Sequence, residues 1–238
     1  MQHTGTSDLR DEIDRDAPRP APRTGTVVWA VALYRLAIVV AAAVGLVKTF
    51  VDVETGSILN PLVYFTVQSN IILAAVMLVA VARPRWWDTT RGTVVVGAAT
   101  LWISVTGIVY HTLLAGPFAM SGADTDPNTL DSIMLHTVTP LMAIVGWLLL
   151  GRAQRTLSWR WAATWLVYPL GYLAFALIRG LSTHDYPYPF VNVTKLGYGG
   201  VTLMSLALCV AFWALGLAVI ALGRLGVRLR GGSGTTSA

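Results

Sequence analysis

Six long runs of apolar residues alternate with short polar segments along the chain, at 27–47, 61–81, 92–114, 130–150, 161–178 and 197–222. Each is close to the ~20 residues that an α-helix needs to cross ~30 Å of hydrocarbon. The segments between them carry charges, prolines or Gly, Asp and Asn clusters, which end helices and make turns. The runs are continuous, whereas strands of a membrane barrel alternate apolar and polar residues over about ten positions. The pattern predicts an all-α polytopic membrane protein, a single bundle of six transmembrane helices over 27–222.

Composition supports this class: 55% of residues are hydrophobic and 12% charged, against about 25% charged in soluble domains. The cations are unevenly placed. Arg10, Arg15, Arg19 and Arg23 precede the first run, and Arg83, Arg85 and Arg91 follow the second. Arg152, Arg155 and Arg160 follow the fourth, and Arg224, Arg228 and Arg230 the sixth. The connections on the opposite side hold only Lys48, Arg179 and Lys195. The positive-inside rule therefore puts both ends in the cytoplasm, which requires an even number of spans. The net charge of +5 then reflects attraction to an anionic leaflet, and no nucleic-acid partner is expected. The Ala/Val/Arg-rich composition suggests a bacterial plasma membrane, with membrane lipids as partners.

Residues 1–26, with Pro18, Pro20 and Pro22 and no apolar stretch, read as a disordered tail. Residues 223–238 read as a basic and then flexible tail ending in Gly, Ser and Thr. The single cysteine, Cys209, leaves no intramolecular disulfide and no multi-cysteine zinc site.

Polar side chains inside the runs carry the candidate chemistry, because lipid does not solvate them. The second run contains Thr66, Gln68, Ser69 and Asn70, and the fourth contains His136 with Pro140 one turn on. At 1.5 Å per residue, Thr66 lies about 7.5 Å, His136 about 9 Å and His111 about 5 Å below the outer surface. Three helices thus offer polar groups at one level, with Arg179 and Lys195 at the rim. A threonine hydroxyl needs a base to become a nucleophile, and a neutral imidazole is the usual one. Thr66 and His136 form such a pair. Gln68, Ser69, Asn70 or His111 could bind a developing oxyanion or substrate, and Arg179 or Lys195 a carboxylate. No third triad member is evident, since Asp131 and Asp185 lie nearer the surface.

Other readings compete with this one. The polar cluster could serve as interhelical glue, or as the binding site of a non-enzymatic binder or transporter of an amphiphile or ion. His111, His136, His184 and Asp131 have metal-ligand chemistry without diagnostic spacing, so neither a metal nor another cofactor is expected. Arg35, buried in the first run, calls for an ion pair or a carbonyl contact. Trp86, Trp87, Trp159, Trp161, Tyr186 and Tyr188 read as an interfacial aromatic belt.

The runs Phe65-Thr66-x-Gln68-Ser69-Asn70, His136-Thr137-x-x-Pro140 and Tyr188-Pro189-Phe190-x-Asn192, in this order, resemble a bacterial six-helix membrane family labelled Pr6Pr. That family is remotely similar to the eukaryotic androgen-induced membrane proteins, threonine hydrolases that cleave fatty acid esters of hydroxy fatty acids. The resemblance covers about residues 27–222 and implies a catalytic threonine at Thr66 and a catalytic histidine at His136.

The charge asymmetry makes a topological prediction. A reporter active only in the cytoplasm should be active when fused after residue 238, and an export-dependent reporter should be active in the connection around His184. The reverse pattern would reject the orientation.

Overall fold

The computed structural model describes residues 25–52, 57–120 and 126–231. Among them six helices are long and apolar enough to cross a membrane: α1 Gly25–Val51, α2 Phe65–Ala82, α3 Thr90–Leu114, α4 Leu130–Leu150, α5 Trp161–Thr183 and α6 Val193–Arg230. No strand occurs among the described residues. The chain is an all-α, multi-pass membrane protein, with six span-length helices among its described residues.

Several helix ends lie a few residues from the sequence pattern, and three of the differences have a plain account. Residues 25 and 26 belong to α1, so only 1–24 of the expected N-terminal tail remain, and these lie outside the described residues, as do 232–238. The second run does not begin as a helix at Pro61. Asn60–Val63 is a 3₁₀ turn with proline in its first positions, and Tyr64 is extended (φ −88°, ψ 134°), so α2 starts at Phe65. Finally, α6 continues past residue 222 because its basic residues find carbonyl partners in the α4–α5 connection. Arg224 donates to the Leu157 carbonyl and stacks over Trp159 at 4.2 Å, and Arg230 donates to the Gly151 carbonyl.

The most buried helix is α3, which packs against α2, α4 and α6. Small residues let it approach closely. A Cβ on Gly97 would stand 2.6 Å from the Trp165 ring, and one on Gly107 would stand 3.0 Å from the His136 carbonyl oxygen. Helix α1 covers α2 and α4 and leaves Trp29, Leu33, Val40 and Val47 exposed, the apolar face that lipid requires. Arg35, in the middle of the span, is 2% exposed. Arg35 Nη1 donates to the Ala80 carbonyl at 2.7 Å, and the guanidinium lies 3.8 Å from the centroid of the Trp87 ring. The carbonyl contact anticipated for this residue is therefore present, reinforced by a cation–π contact.

Helix α5 is broken between Thr164 and Val167. Pro169 has no N–H to give the carbonyl four residues back, that of Trp165. The Trp102 indole on α3 supplies the missing donor at 2.8 Å. Beyond the break α5 is tied to the start of α2 by two tyrosines. Tyr172 donates to the Val63 carbonyl at 2.8 Å and Tyr168 to Gln68 Oε1 at 3.2 Å, with the Phe65 ring packed against both.

Trp102→Phe should lower stability by about 1 kcal/mol, as expected for one interhelical hydrogen bond in a membrane bundle. In a Pro169→Ala background, where the substituted residue can return an N–H to the Trp165 carbonyl, the loss should shrink towards zero. Thermal unfolding in micelles across the four variants of this cycle measures the difference.

Candidate functional site

The site begins with a second proline. In the π turn Met134–Val138 the backbone bonds run to the fifth residue, and the Thr139 N–H meets the Met134 carbonyl. The Leu135 carbonyl would by that register take its N–H from residue 140, which is proline and has none. Asn70 Nδ2 donates to it from outside the helix at 3.2 Å, and the Thr139 hydroxyl of its own helix lies 3.3 Å away. Asn70 is 0% exposed. Its second amide hydrogen goes to the Thr66 carbonyl at 2.9 Å, and its Oδ1 accepts the Thr139 hydroxyl at 2.7 Å. One side chain thus clamps the first turn of α2 to the π turn of α4.

That clamp brings Thr66 to His136. Thr66 Oγ1 lies 3.1 Å from His136 Nε2. His136 Nδ1 lies 3.1 Å from the Ser132 carbonyl oxygen, which can only accept, so Nδ1 carries the proton. Nε2 is left with a lone pair directed at the threonine hydroxyl, the arrangement of a base ready to take its proton. The Tyr110 ring stacks on the imidazole with centroids 3.8 Å apart and planes 15° from parallel. Tyr110 opens another π turn, Tyr110–Leu114, so two such turns on adjacent helices meet at this histidine. Isolated π turns inside α-helices occur often at functional sites.

Ser69 secures Thr66 from a third direction, bonding the Thr66 carbonyl at 3.1 Å and the Thr106 hydroxyl of α3 at 2.8 Å. The Thr66 N–H donates to Tyr188 Oη at 3.4 Å. Beside Thr66 is a narrow apolar cavity of about 80 Å³, smaller than the roughly 300–1,000 Å³ that drug-sized ligands fill. Its walls include Val105 and Val109 of α3, Pro169 and Leu173 of α5, Tyr188 and Phe190 of the following connection, and Leu208, Cys209 and Phe212 of α6.

The other residues singled out from the sequence fall elsewhere or take other tasks. Both Asn70 amide hydrogens are committed to carbonyls, and Ser69 braces backbone, so neither is placed to donate to an oxyanion. Gln68 turns towards α5, bonding the Leu62 carbonyl at 2.8 Å and Tyr168. His111 is exposed and pairs with the Thr137 hydroxyl at 2.9 Å. Arg179 reaches the Asp185 carboxylate at 2.7 Å, Lys195 is exposed, and neither lines the cavity. Among the described residues no group of three His, Cys, Asp or Glu side chains comes together.

Sequence reasoning does not select Tyr110 for the site, and it puts Tyr188 near the cavity mouth but reads it chiefly as part of the aromatic belt. Tyr188 shares its spacing with belt residues, but the connection folds inward and buries it. Its pairing with Thr66 has no sequence signal beyond the Tyr-Pro-Phe run itself. Asn192, in the same run, caps α6 by accepting the Lys195 N–H at 3.1 Å.

Comparison with protein-family models, with curated proteins and with solved structures gives no match.

Asn70→Leu keeps the volume of this clamp and removes its polar groups, cutting the bonds from α2 to the Leu135 carbonyl and the Thr139 hydroxyl and leaving those two only each other, 3.3 Å apart. The expected destabilisation is about 1–3 kcal/mol, larger than for Gln68→Leu on the other face, and thermal melting of the two variants decides it.

Proposed function

We propose that this chain is an intramembrane threonine hydrolase of lipid esters, seated in a bacterial plasma membrane with its ends in the cytoplasm. The observation that carries this reading is the contact between Thr66 Oγ1 and the unprotonated nitrogen of an imidazole whose other nitrogen is held by the Ser132 carbonyl. A purely structural threonine has no need of that tautomer.

In the proposed reaction an acyl chain parts the helices that line the narrow apolar cavity as it enters, and its ester carbonyl meets Thr66 at the wall. Thr66 Oγ1 attacks the carbonyl carbon as His136 Nε2 takes the hydroxyl proton. Collapse of the tetrahedral species expels the alcohol, which leaves with that proton, and an acyl-threonine remains. Water, activated by the same imidazole, releases the fatty acid and restores Thr66. The positive end of α2 favours the charge that develops at its first turn. The reaction calls on no cofactor. The family resemblance points to the same two residues and to fatty acid esters of hydroxy fatty acids as the substrate class.

The test is covalent labelling of the purified protein by a fluorophosphonate. Wild type should label at Thr66, Thr66→Ser should retain labelling, and Thr66→Ala should lose it. His136→Gln should slow labelling about 10²–10⁴-fold, the usual contribution of a general base. A folded wild type that neither labels nor cleaves esters would favour a non-enzymatic binder or transporter of an amphiphile.

A further inference from the structure

The proposed reaction leaves one question open, namely which group meets the oxygen of the carbonyl that Thr66 attacks. Asn70 and Ser69 are committed to other partners, and Gln68 is on another face. Tyr188 is differently placed. It is 8% exposed and lines the cavity beside Thr66. Its ring is fixed by packing, parallel to Phe190 with centroids 5.1 Å apart and edge-on to Tyr64 at 5.9 Å. The hydroxyl therefore has a set position that does not depend on its own hydrogen bonds.

That position is over the first turn of α2, where backbone N–H groups have no partner within the helix. The Thr66 N–H donates to Tyr188 Oη at 3.4 Å, and the Phe65 amide acts on the same oxygen. Burial raises the phenol above its ordinary value, while these contacts pull the other way by easing charge on the oxygen. Amide donors thus serve the lone pairs of Tyr188 Oη, and the Tyr172 hydroxyl is a further hydrogen-bond neighbour of the phenol. A neutral hydroxyl that accepts from amides is a stronger donor in turn.

We propose that Tyr188 is a catalytic residue, the donor that binds the oxyanion formed when Thr66 attacks an ester carbonyl at the cavity wall. The inference rests on the hydrolase reading given above. As the bond from Oγ1 to carbon forms, the carbonyl π pair moves onto oxygen and the Thr66 proton passes to His136. Tyr188 keeps its proton and shares it with the new oxyanion. When the carbonyl re-forms, the bond to the alkoxide breaks and that alkoxide takes the proton from His136. Attack on a fluorophosphonate places the same demand on the phosphonyl oxygen, with fluoride as the leaving group.

The experiment measures the second-order rate constant for fluorophosphonate labelling of the full-length protein in micelles. Tyr188→Phe, which keeps the packed ring, should label about 10²–10³-fold more slowly, the loss typical of one oxyanion donor. Its melting temperature should be unchanged, and Tyr64→Phe should label at the wild-type rate. With a p-nitrophenyl ester, kcat should fall in Tyr188→Phe while KM holds. Tyr188→Phe labelling at the wild-type rate overturns the proposal and leaves the hydrolase reading intact. A folded wild type that does not label at Thr66 overturns both. Should Tyr188→Phe fail to fold, a difluorinated tyrosine at position 188 replaces it. The more acidic phenol should then change the rate, and an identical rate overturns the proposal.

Discussion

A carbonyl group deprived of its amide, in a medium with no water to replace it, is the constraint on which this architecture depends. Within hydrocarbon every backbone polar group must be satisfied by the protein itself. Pro140 leaves the Leu135 carbonyl without an amide in the π register of α4, and Pro169 does the same to Trp165 in α5. Each carbonyl is met by a side chain from a neighbouring helix, Asn70 of α2 and Trp102 of α3. The defects are therefore also the joints. They fix α2 against α4 and α5 against α3 with a directional precision that apolar packing between helices in lipid does not supply.

The consequence for the site is direct. Asn70 holds the Leu135 carbonyl, one residue before His136, and the carbonyl of Thr66 itself. Thr66 and the residue before His136 are thus tied through their carbonyls to the two hydrogens of one amide nitrogen. The close approach of α3 at Gly107 lets Tyr110 stack on the imidazole from the remaining side. Backbone geometry, rather than a chain of charged side chains, positions the histidine.

Much of the fold was legible because the bilayer imposes a length, and runs of that length stand out from their polar connections. The pairing of Thr66 with His136 was legible as well, since depth along two spans that both start at the outer surface follows from residue counting. The i, i+4 spacing also places Thr66 and Asn70 on one face and excludes Gln68, two residues on. What could not be read was the occupancy of each polar group. Asn70 looked like a free donor only because the need of the Leu135 carbonyl arises from a π register that no local pattern announces. Arg179 looked like a rim cation because the turn through His184, left-handed at φ 58°, brings Asp185 back to it. Tyr188 looked interfacial because an inward fold of a short connection leaves no periodicity.

The dyad's lack of an acidic third member can be understood in the same terms. A carboxylate beside His136 would have to be carried within the span at a cost of roughly 2.5–3.5 kcal/mol by insertion scales. The Ser132 carbonyl performs the orienting part of that role without charge, because it fixes the proton on Nδ1. It contributes less to stabilising an imidazolium once Nε2 has accepted the threonine proton in the proposed reaction. Here the stacked ring of Tyr110, 3.8 Å away, takes on importance, since an aromatic face attracts a cation most strongly where water is excluded. Orientation from a backbone carbonyl and charge stabilisation from a π face together replace a buried carboxylate, a division of labour suited to a site built inside the membrane.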